Sequence, residues 1–167
     1  MAKHPRKLDK RRRRENKTNY TKRLILLKGR LPRLVVRKTN RYLILQIIES
    51  SLAQDKIIYS VNTKELLKNG WPKEREGSLK SIPAGYLAGL LLGKKASGLK
   101  KEIILDTGLI PNTSQSRVYA VVKGVADSGL KIRFSEDVVP SEERISGENT
   151  KVGDIFEKMK GVIEKHK

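Results

Sequence analysis

The 167-residue sequence predicts an α/β protein in which a mixed β-sheet packs with helices, with a basic N-terminal helical arm and a C-terminal helical extension. Two observations predict this architecture. Along the body of the chain, β-rich runs come first and a helix–strand–helix pattern follows them. Residues 1–41 hold 17 of the 37 Lys and Arg residues and only 2 acids, whereas the rest of the chain is close to neutral. We therefore divide the chain into an arm (1–30), an α/β core (31–135) and an extension (136–167).

The arm is expected to form one helix between about residues 9 and 29, after an unstructured start at residues 1–8. No helix-breaking residue interrupts this stretch. Tyr20, Leu24 and Leu27 recur at helical spacing and form a short apolar stripe near its C-terminal end. We expect this proximal half to dock on the core, and the distal, arginine-rich half to meet nucleic acid.

The core begins with a predicted hairpin. Two β-rich runs within residues 33–48 flank a tight turn at Thr39 and Asn40, and Asn tolerates the positive φ that such a turn favours. The second run is apolar on both faces, which predicts a strand covered by helices on at least one side. A third strand is expected at 56–61.

A helix–strand–helix pattern follows the predicted hairpin. The first helix is expected at 81–99, a short buried strand at 102–106 and a second helix at 114–129. Ile132 and Phe134 indicate one more short strand. Because the β-rich runs precede these helices, the pattern favours an α/β sandwich with a mixed sheet.

Two helical patterns predict how helices pack. Gly85, Gly89 and Gly93 form a stripe of small residues on the first core helix, which in water lets a helix approach a sheet closely; in a membrane it would be a dimerisation face. The extension is predicted to end in an amphipathic helix at about 152–166. One side of that helix carries Val152, Ile155, Phe156, Met159 and Val162.

The composition excludes several kinds of site. The chain has no cysteine, so disulfides, thiolate metal sites and cysteine nucleophiles are excluded. Its two histidines, His4 and His166, lie in the two tails, which disfavours a zinc site or a histidine-based triad. The charged N-terminus lacks the apolar stretch of a signal peptide, and the longest apolar run is too short to cross a bilayer. We expect a cytoplasmic protein without a cofactor, a small-molecule substrate or a membrane contact.

Asp106, Thr107 and Gly108 form the local signature of a retroviral-type aspartic protease. That chemistry needs two carboxylates that share a proton across a dimer axis. It also needs β-rich surroundings, whereas the residues after this motif have a helical pattern. We interpret Asp106 as the end of a strand and keep a protease as a remote alternative.

A cluster of cations surrounds the predicted hairpin. Arg33 and Arg37 share one face of its first strand, Lys38 and Arg41 flank the turn, and Tyr42 follows. A guanidinium group can bind a phosphate through two hydrogen bonds, and an aromatic ring can stack on an unpaired base. Together with the basic arm, this cluster indicates a nucleic-acid-binding protein whose affinity falls steeply with salt. RNA is favoured over DNA because the sequence shows no helix-turn-helix pattern and no paired Cys/His finger.

At these residues the sequence resembles the family of large-subunit ribosomal protein eighteen, the universal 5S rRNA-binding family, in its archaeal branch. The resemblance starts with PRLVVRKTNRY at 32–42 and keeps its order and spacing across nearly the whole chain, although residues 50–80 match poorly. The further matching blocks are AGLLLGKKA at 88–96, LDTGL at 105–109, SRVYA at 116–120, KG at 123–124, DSGL at 127–130 and PSEERI at 140–145. Gln115 and Ser146 depart from the family pattern, which has Gly and Arg at these places.

This resemblance implies a non-catalytic constituent of the large ribosomal subunit, located in its central protuberance. The implied partners are 5S rRNA, large-subunit rRNA and ribosomal protein five of the same subunit. The implied RNA-contacting residues are Lys10, Arg11, Arg12, Arg13, Arg14, Lys17, Lys22 and Arg23 in the arm, Arg33, Arg37, Thr39, Asn40, Arg41 and Tyr42 in the hairpin, and Ser116 and Arg117 at the start of the second helix. Lys38, which flanks the hairpin turn, is expected to contact RNA with them. A general nucleic-acid-compacting protein is the alternative, and it would bind any RNA or DNA about equally.

Overall fold

The computed structural model describes residues 8–52, 54–148 and 152–165. Residues 1–7, most of the expected unstructured start, and His166, the expected end of the last helix, lie outside the described residues. Within the described ranges the chain forms a mixed sheet with several helices, which confirms the predicted α/β class. In this part of the chain no helix is long and apolar enough to cross a membrane.

The elements follow one another in the predicted order, strands before most helices. The strands are β1 (Arg33–Lys38), β2 (Leu43–Ser51), β3 (Gln54–Asn62) and β4 (Ile104–Asp106). The helices are α1 (Arg11–Arg14), α2 (Tyr20–Lys28), α3 (Ile82–Lys95), α4 (Arg117–Asp127), α5 (Glu142–Ser146) and α6 (Gly153–Lys165). Shorter 3₁₀ helices lie at Thr63–Asn69, Lys73–Ser78 and Glu136–Val138.

The sheet has the strand order β3-β2-β1-β4. β1 pairs antiparallel with β2 and parallel with β4, and β2 pairs antiparallel with β3, so the sheet is mixed as predicted. The turn between β1 and β2 is closed locally, because the Thr39 hydroxyl oxygen accepts a hydrogen bond from the Tyr42 backbone N–H at 2.9 Å. The strand expected at Ile132 and Phe134 is wrong in extent: only a single bridge joins Ile132 to Ile103.

Alternation along β1 sends its side chains to two faces of the sheet. Leu34 and Val36 point to the inner face, where they are fully buried in the core with α3 and α4. Arg33, Val35 and Arg37 point to the opposite face, which we call the outer face. The helices α3 and α4 thus cover one face, and the outer face is left for the arm.

Helix α3 crosses α4 at very short range. A Cβ atom added at Gly89 would lie 2.4 Å from the carbonyl oxygen of Val121, and one added at Gly124 would lie 2.2 Å from that of Tyr86. Only glycine permits so close an approach of two backbones. The glycine stripe therefore packs chiefly on a helix, and the expectation that it serves a close approach to the sheet is wrong.

The arm consists of two helices, so the expectation of one continuous helix is wrong. α1 ends at Arg14, and Asn16 follows with φ of 49°, a left-handed conformation that does not continue a right-handed helix. α2 begins after Asn19, whose side chain accepts a hydrogen bond from the Lys22 backbone N–H at 3.0 Å. No residue of α2 is buried. Leu24 is 55% exposed, so the expected apolar stripe does not dock through it.

Helix α6 packs its apolar side against α3. Phe156 and Met159 are buried as predicted. The Phe156 ring lies 5.6 Å from the Tyr86 ring, centroid to centroid. The helix turns Ile163 inward, whereas Val162, expected on the packed side, is 42% exposed.

Candidate nucleic-acid interface

A buried arginine lies on the outer face. Arg33 is 2% exposed. Its Nη1 donates to Asp106 Oδ2 at 2.8 Å, and its Nη2 donates to Asp55 Oδ1 at 2.7 Å and to Ser50 Oγ at 2.9 Å. Its Nε has no hydrogen-bond partner among the described residues. The guanidinium is enclosed by two carboxylates, so the phosphate contact expected of Arg33 does not fit this position.

Helix α2 is held on the outer face by polar contacts. Arg23 donates to Asp55 Oδ2 at 2.9 Å. Lys22 Nζ donates to the Thr107 hydroxyl oxygen at 2.7 Å and to the Gly108 carbonyl at 3.3 Å. Two residues expected to contact RNA thus also position the arm on the core.

Asp55 connects the arm, the buried arginine and the β2–β3 hairpin. Its Oδ1 accepts a hydrogen bond from the Ser50 hydroxyl at 2.6 Å, besides its contacts with Arg23 and Arg33. Partial burial raises the pKa of Asp55, but the hydrogen bonds from Ser50 and Arg23 and the two guanidinium charges outweigh burial. They hold the pKa of Asp55 below its ordinary value, so this carboxylate stays ionised at neutral pH.

Arg37 lies further along the outer face and is open to solvent on one side. Its side chain is 43% exposed, and its Nη1 donates to the backbone carbonyls of Val36 at 3.0 Å and Asp106 at 3.1 Å. Gly108 has φ of 60°, a left-handed conformation that favours glycine, and a Cβ there would lie 2.9 Å from this Nη1, so another residue would be strained and would displace the Arg37 guanidinium. Asp106 ends β4 as predicted, and its motif orients Arg37 and Arg33.

The hairpin tip, residues 38–41, is exposed to solvent throughout. Lys38 and Arg41 carry the charge of the tip, and Thr39 and Asn40 form its turn. Arg37 and Lys38 point to different faces because side chains alternate along β1. Arg37 and the tip together therefore present cations to both sides of the strand.

The segment after β3, residues 63–80, contacts the hairpin tip and Tyr42. Lys80 Nζ donates to the Asn40 carbonyl at 3.0 Å. The Tyr42 hydroxyl donates to Glu76 Oε1 at 2.8 Å, and this hydrogen bond raises the pKa of Tyr42 above its ordinary value. Lys64 Nζ lies 5.9 Å from the centroid of the Tyr42 ring. Tyr42 is half-buried, and its contacts with Glu76 and Lys64 fix the position of the tip.

Sequence reasoning missed this support because it assigned no role to residues 50–80. The Tyr42–Glu76 and Asn40–Lys80 pairs join residues that are 34 and 40 positions apart. No local spacing pattern reports such a contact.

The other predicted contact cations of the arm are exposed to solvent. They are Lys10, Arg11, Arg12, Arg13, Arg14 and Lys17. Arg11, Arg13 and Lys17 form ion pairs with Glu15 or Asp9 at distances of 2.9 to 3.7 Å. Exposed pairs of this kind contribute little to stability, so phosphate groups can replace these acids at low cost.

A small cleft of about 160 Å³ lies between the arm and the outer face. Its charged lining consists of five cations and one carboxylate: Arg12, Lys17, Lys22, Arg23, Arg37 and Asp106. Such a concentration of positive charge attracts polyanions. The structure thus brings four of the eight predicted arm residues together with one arginine of the hairpin.

Comparison with known proteins identifies the family. The sequence model of the family described as "Ribosomal large subunit proteins 60S L5, and 50S L18" matches residues 6–103. The chain belongs to this family. Two archaeal relatives carry the name "Large ribosomal subunit protein uL18". The one from Korarchaeum cryptofilum is 48% identical over 141 residues, which cover 83% of this chain and 70% of the relative. The one from Methanoregula boonei is 41% identical over 158 residues, which cover 91% and 88%.

Membership of the uL18 family confirms the predicted family and its archaeal branch. The chain is a constituent of the large ribosomal subunit, which places it in the cytoplasm. It belongs with structural proteins of the ribosome and not with enzymes, so the protease alternative is wrong.

In this uL18-family protein, the other two predicted contact residues lie at the start of α4. Ser116 is the N-cap of α4 and makes no side-chain capping hydrogen bond, and Arg117 is the first residue of the helix. Both line a groove together with Lys38 of the hairpin. Gln115 precedes them with φ of 54°, a conformation that the glycine of the family pattern adopts without strain.

Proposed function

We propose that this uL18-family protein binds 5S rRNA and anchors it in the central protuberance of the large subunit, beside large-subunit rRNA and ribosomal protein five. The observation that carries the proposal is the placement of charge on the outer face. The carboxylates of that face are bound to Arg33, Arg23 and Arg37, while the cations of α1 and of the hairpin tip are exposed around it. The surface therefore attracts RNA although two acids lie within it.

The predicted contact residues take three roles. Phosphates are bound by the exposed cations of the arm, by Arg37 and the hairpin tip, and by the start of α4: Lys10, Arg11, Arg12, Arg13, Arg14, Lys17, Arg37, Lys38, Thr39, Asn40, Arg41, Ser116 and Arg117. Lys22 and Arg23 place the arm and offer their remaining hydrogen-bond donors to the cleft. Arg33 and Tyr42 act from within, because one is buried and the hydroxyl of the other is bound to Glu76.

Binding is expected to depend strongly on salt. Each phosphate that a Lys or Arg side chain neutralises releases condensed counterions from the RNA. With about six to ten such contacts, affinity falls on the order of a thousandfold or more between about 50 and 200 mM salt. Specificity must come from the hairpin, which is fixed by the contacts of Tyr42 and Asn40.

The proposal is tested by competition between 5S rRNA and transfer RNA for the full chain at several salt concentrations. We expect 5S rRNA to remain bound at a salt concentration and competitor excess that remove transfer RNA. Equal binding of the two RNAs, lost together as salt rises, would instead support the general nucleic-acid-compacting alternative.

A matched pair of variants locates the specificity. Arg41→Ala is expected to lose about 1–3 kcal/mol of 5S rRNA affinity, the scale of a charge-assisted hydrogen bond. Arg133→Ala removes the same charge from a residue that is bound to Glu102, away from the hairpin. If both variants lose the same small affinity, the hairpin supplies no specific contact.

A further inference from the structure

A groove of about 490 Å³ lies beside the first turn of α4. We call it the α4 groove. Its apolar lining includes Leu43, Ile82, Ile110, Pro111 and Val118. This volume falls within the range of pockets that hold small organic groups, and an apolar lining of this size accepts a flat ring.

Three cations share the α4 groove with these apolar side chains. They are Lys38, Arg117 and Arg144, which come from β1, α4 and α5. Among the described residues that line the groove there is no acid. The lining therefore combines positive charge with apolar side chains and, in the described part of the chain, holds no acid, in contrast to the arm cleft, which contains Asp106.

Arg144 is held in place over the groove. Its Nη1 donates to Gln115 Oε1 at 3.0 Å, and the Gln115 backbone N–H donates to the Val138 carbonyl at 2.7 Å. The second nitrogen of the guanidinium fork has no role in this contact and can donate to a ligand. The groove thus has an oriented guanidinium before any ligand arrives.

We infer that the α4 groove binds one unpaired nucleotide of 5S rRNA, with the base against the apolar side chains and the phosphate on the cations. This inference rests on the proposed function. A nucleotide combines a planar base with an anionic phosphate, which matches the two kinds of side chain in the lining, apolar and cationic. The groove also continues from the hairpin tip through Lys38, which favours RNA over an acidic peptide as the occupant.

The absence of cysteine from the chain permits a test that does not disturb folding. Thr113 lines the groove and is exposed, and Ser97 is an exposed polar residue outside the groove lining. Thr113→Cys and Ser97→Cys each introduce a single thiol, and a bulky maleimide is attached after folding. We expect the label at position 113 to lower 5S rRNA affinity roughly tenfold or more, the scale of losing one stacked base, and the label at position 97 to leave it unchanged. Equal effects of the two labels overturn the inference.

Chemical probing of the unpaired bases of 5S rRNA identifies the occupant. We expect the wild-type protein to protect one unpaired nucleotide that becomes reactive again with Arg144→Gln, while the other protections persist. Arg133→Gln removes the same charge elsewhere and should keep every protection. If Arg144→Gln weakens all protections evenly, or if the label at position 113 leaves RNA binding intact, the groove holds no nucleotide and an acidic peptide becomes the better candidate.

The failure of this inference differs from the failure of the proposed function. If the unlabelled protein does not prefer 5S rRNA over transfer RNA, the proposed function fails and this inference fails with it. If that preference is intact but the label at position 113 has no effect, only the inference about the α4 groove fails.

Discussion

Helix α3 meets α4 through glycines, whereas α2 meets the outer face of the sheet through lysine and arginine. At the first contact a Cβ atom at Gly124 would lie 2.2 Å from the Tyr86 carbonyl oxygen. At the second, Arg23 and Lys22 reach a carboxylate, a hydroxyl and a carbonyl, and no residue of α2 is buried. One contact depends on the shape of two backbones and the other on charge.

This difference shows which part of the molecule can respond to RNA. Because the backbones of α3 and α4 are in direct contact, neither helix can shift without a clash. The two helices therefore keep the sheet in one shape. Ion pairs that are partly open to solvent can exchange a carboxylate for a phosphate, and salt weakens them. The contacts of Lys22 and Arg23 thus hold the arm on the outer face in the absence of RNA, and RNA can still compete for these cations.

The largest expected effect concerns Asp106, a carboxylate bound to the buried Arg33. Asp106→Ala removes one of the two carboxylates that enclose Arg33. The buried guanidinium charge then keeps only Asp55 as an ionic partner. We expect a loss of about 3–5 kcal/mol in the free energy of unfolding, measured by urea denaturation.

A double variant separates charge from packing at this position. Adding Arg33→Met to Asp106→Ala removes the unpaired charge and should restore a large part of the lost stability. If the double variant is no more stable than Asp106→Ala alone, the buried pair does not act through charge.

The glycine crossing should also be sensitive to a single methyl group. Gly124→Ala places a Cβ against the Tyr86 backbone, which cannot move aside without shifting α3. We expect a loss of about 3 kcal/mol in the free energy of unfolding. Gly161→Ala in α6 is the control, because a Cβ there meets nothing within 4 Å, and it should gain about 0.5–1 kcal/mol. Similar changes in both variants would show that the crossing is not tightly packed.

A smaller effect is expected at Asp55, the carboxylate that binds both Arg23 of the arm and Arg33. Asp55→Asn weakens the bonds to Arg23 and Arg33 and should cost about 1–2 kcal/mol at neutral pH. Because the folded pKa of Asp55 is lowered, its stabilisation is complete above the unfolded pKa of about 3.9 and is lost as pH falls through the folded pKa. Urea denaturation between neutral and acidic pH should therefore show the two proteins converging below pH about 4. A constant difference at all pH values would mean that the Asp55 charge is not involved.

The smallest effect is expected at an exposed apolar residue of the arm. Leu24 is 55% exposed, so Leu24→Ser should change the free energy of unfolding by less than about 0.5 kcal/mol. Thermal unfolding of the variant checks this. A loss of about 2 kcal/mol would restore the original expectation that Leu24 docks on the core.

Local patterns predicted the sheet better than they predicted the arm. The hairpin was predictable because Thr39 and Tyr42 close its turn within four residues. The burial of Arg33 was not, because its partner Asp106 lies 73 positions away in the sequence. Helical spacing selected Leu24 for the docked side of α2, yet Asp55, a residue of β3, turns Arg23 inward. The family blocks pointed to the hairpin and the start of α4 as contact sites, and they left the segment after β3, which contacts the hairpin, without a role.

Amide hydrogen exchange of the free protein at about 50 mM and about 1 M salt tests most directly whether charge holds the arm. We expect exchange in α2 to accelerate several-fold at high salt, because screening weakens the contacts of Lys22 and Arg23. Exchange in α3 should stay slow and unchanged at both concentrations. If α2 exchanges at the same rate in both, or α2 and α3 accelerate together, the arm is not held by charge.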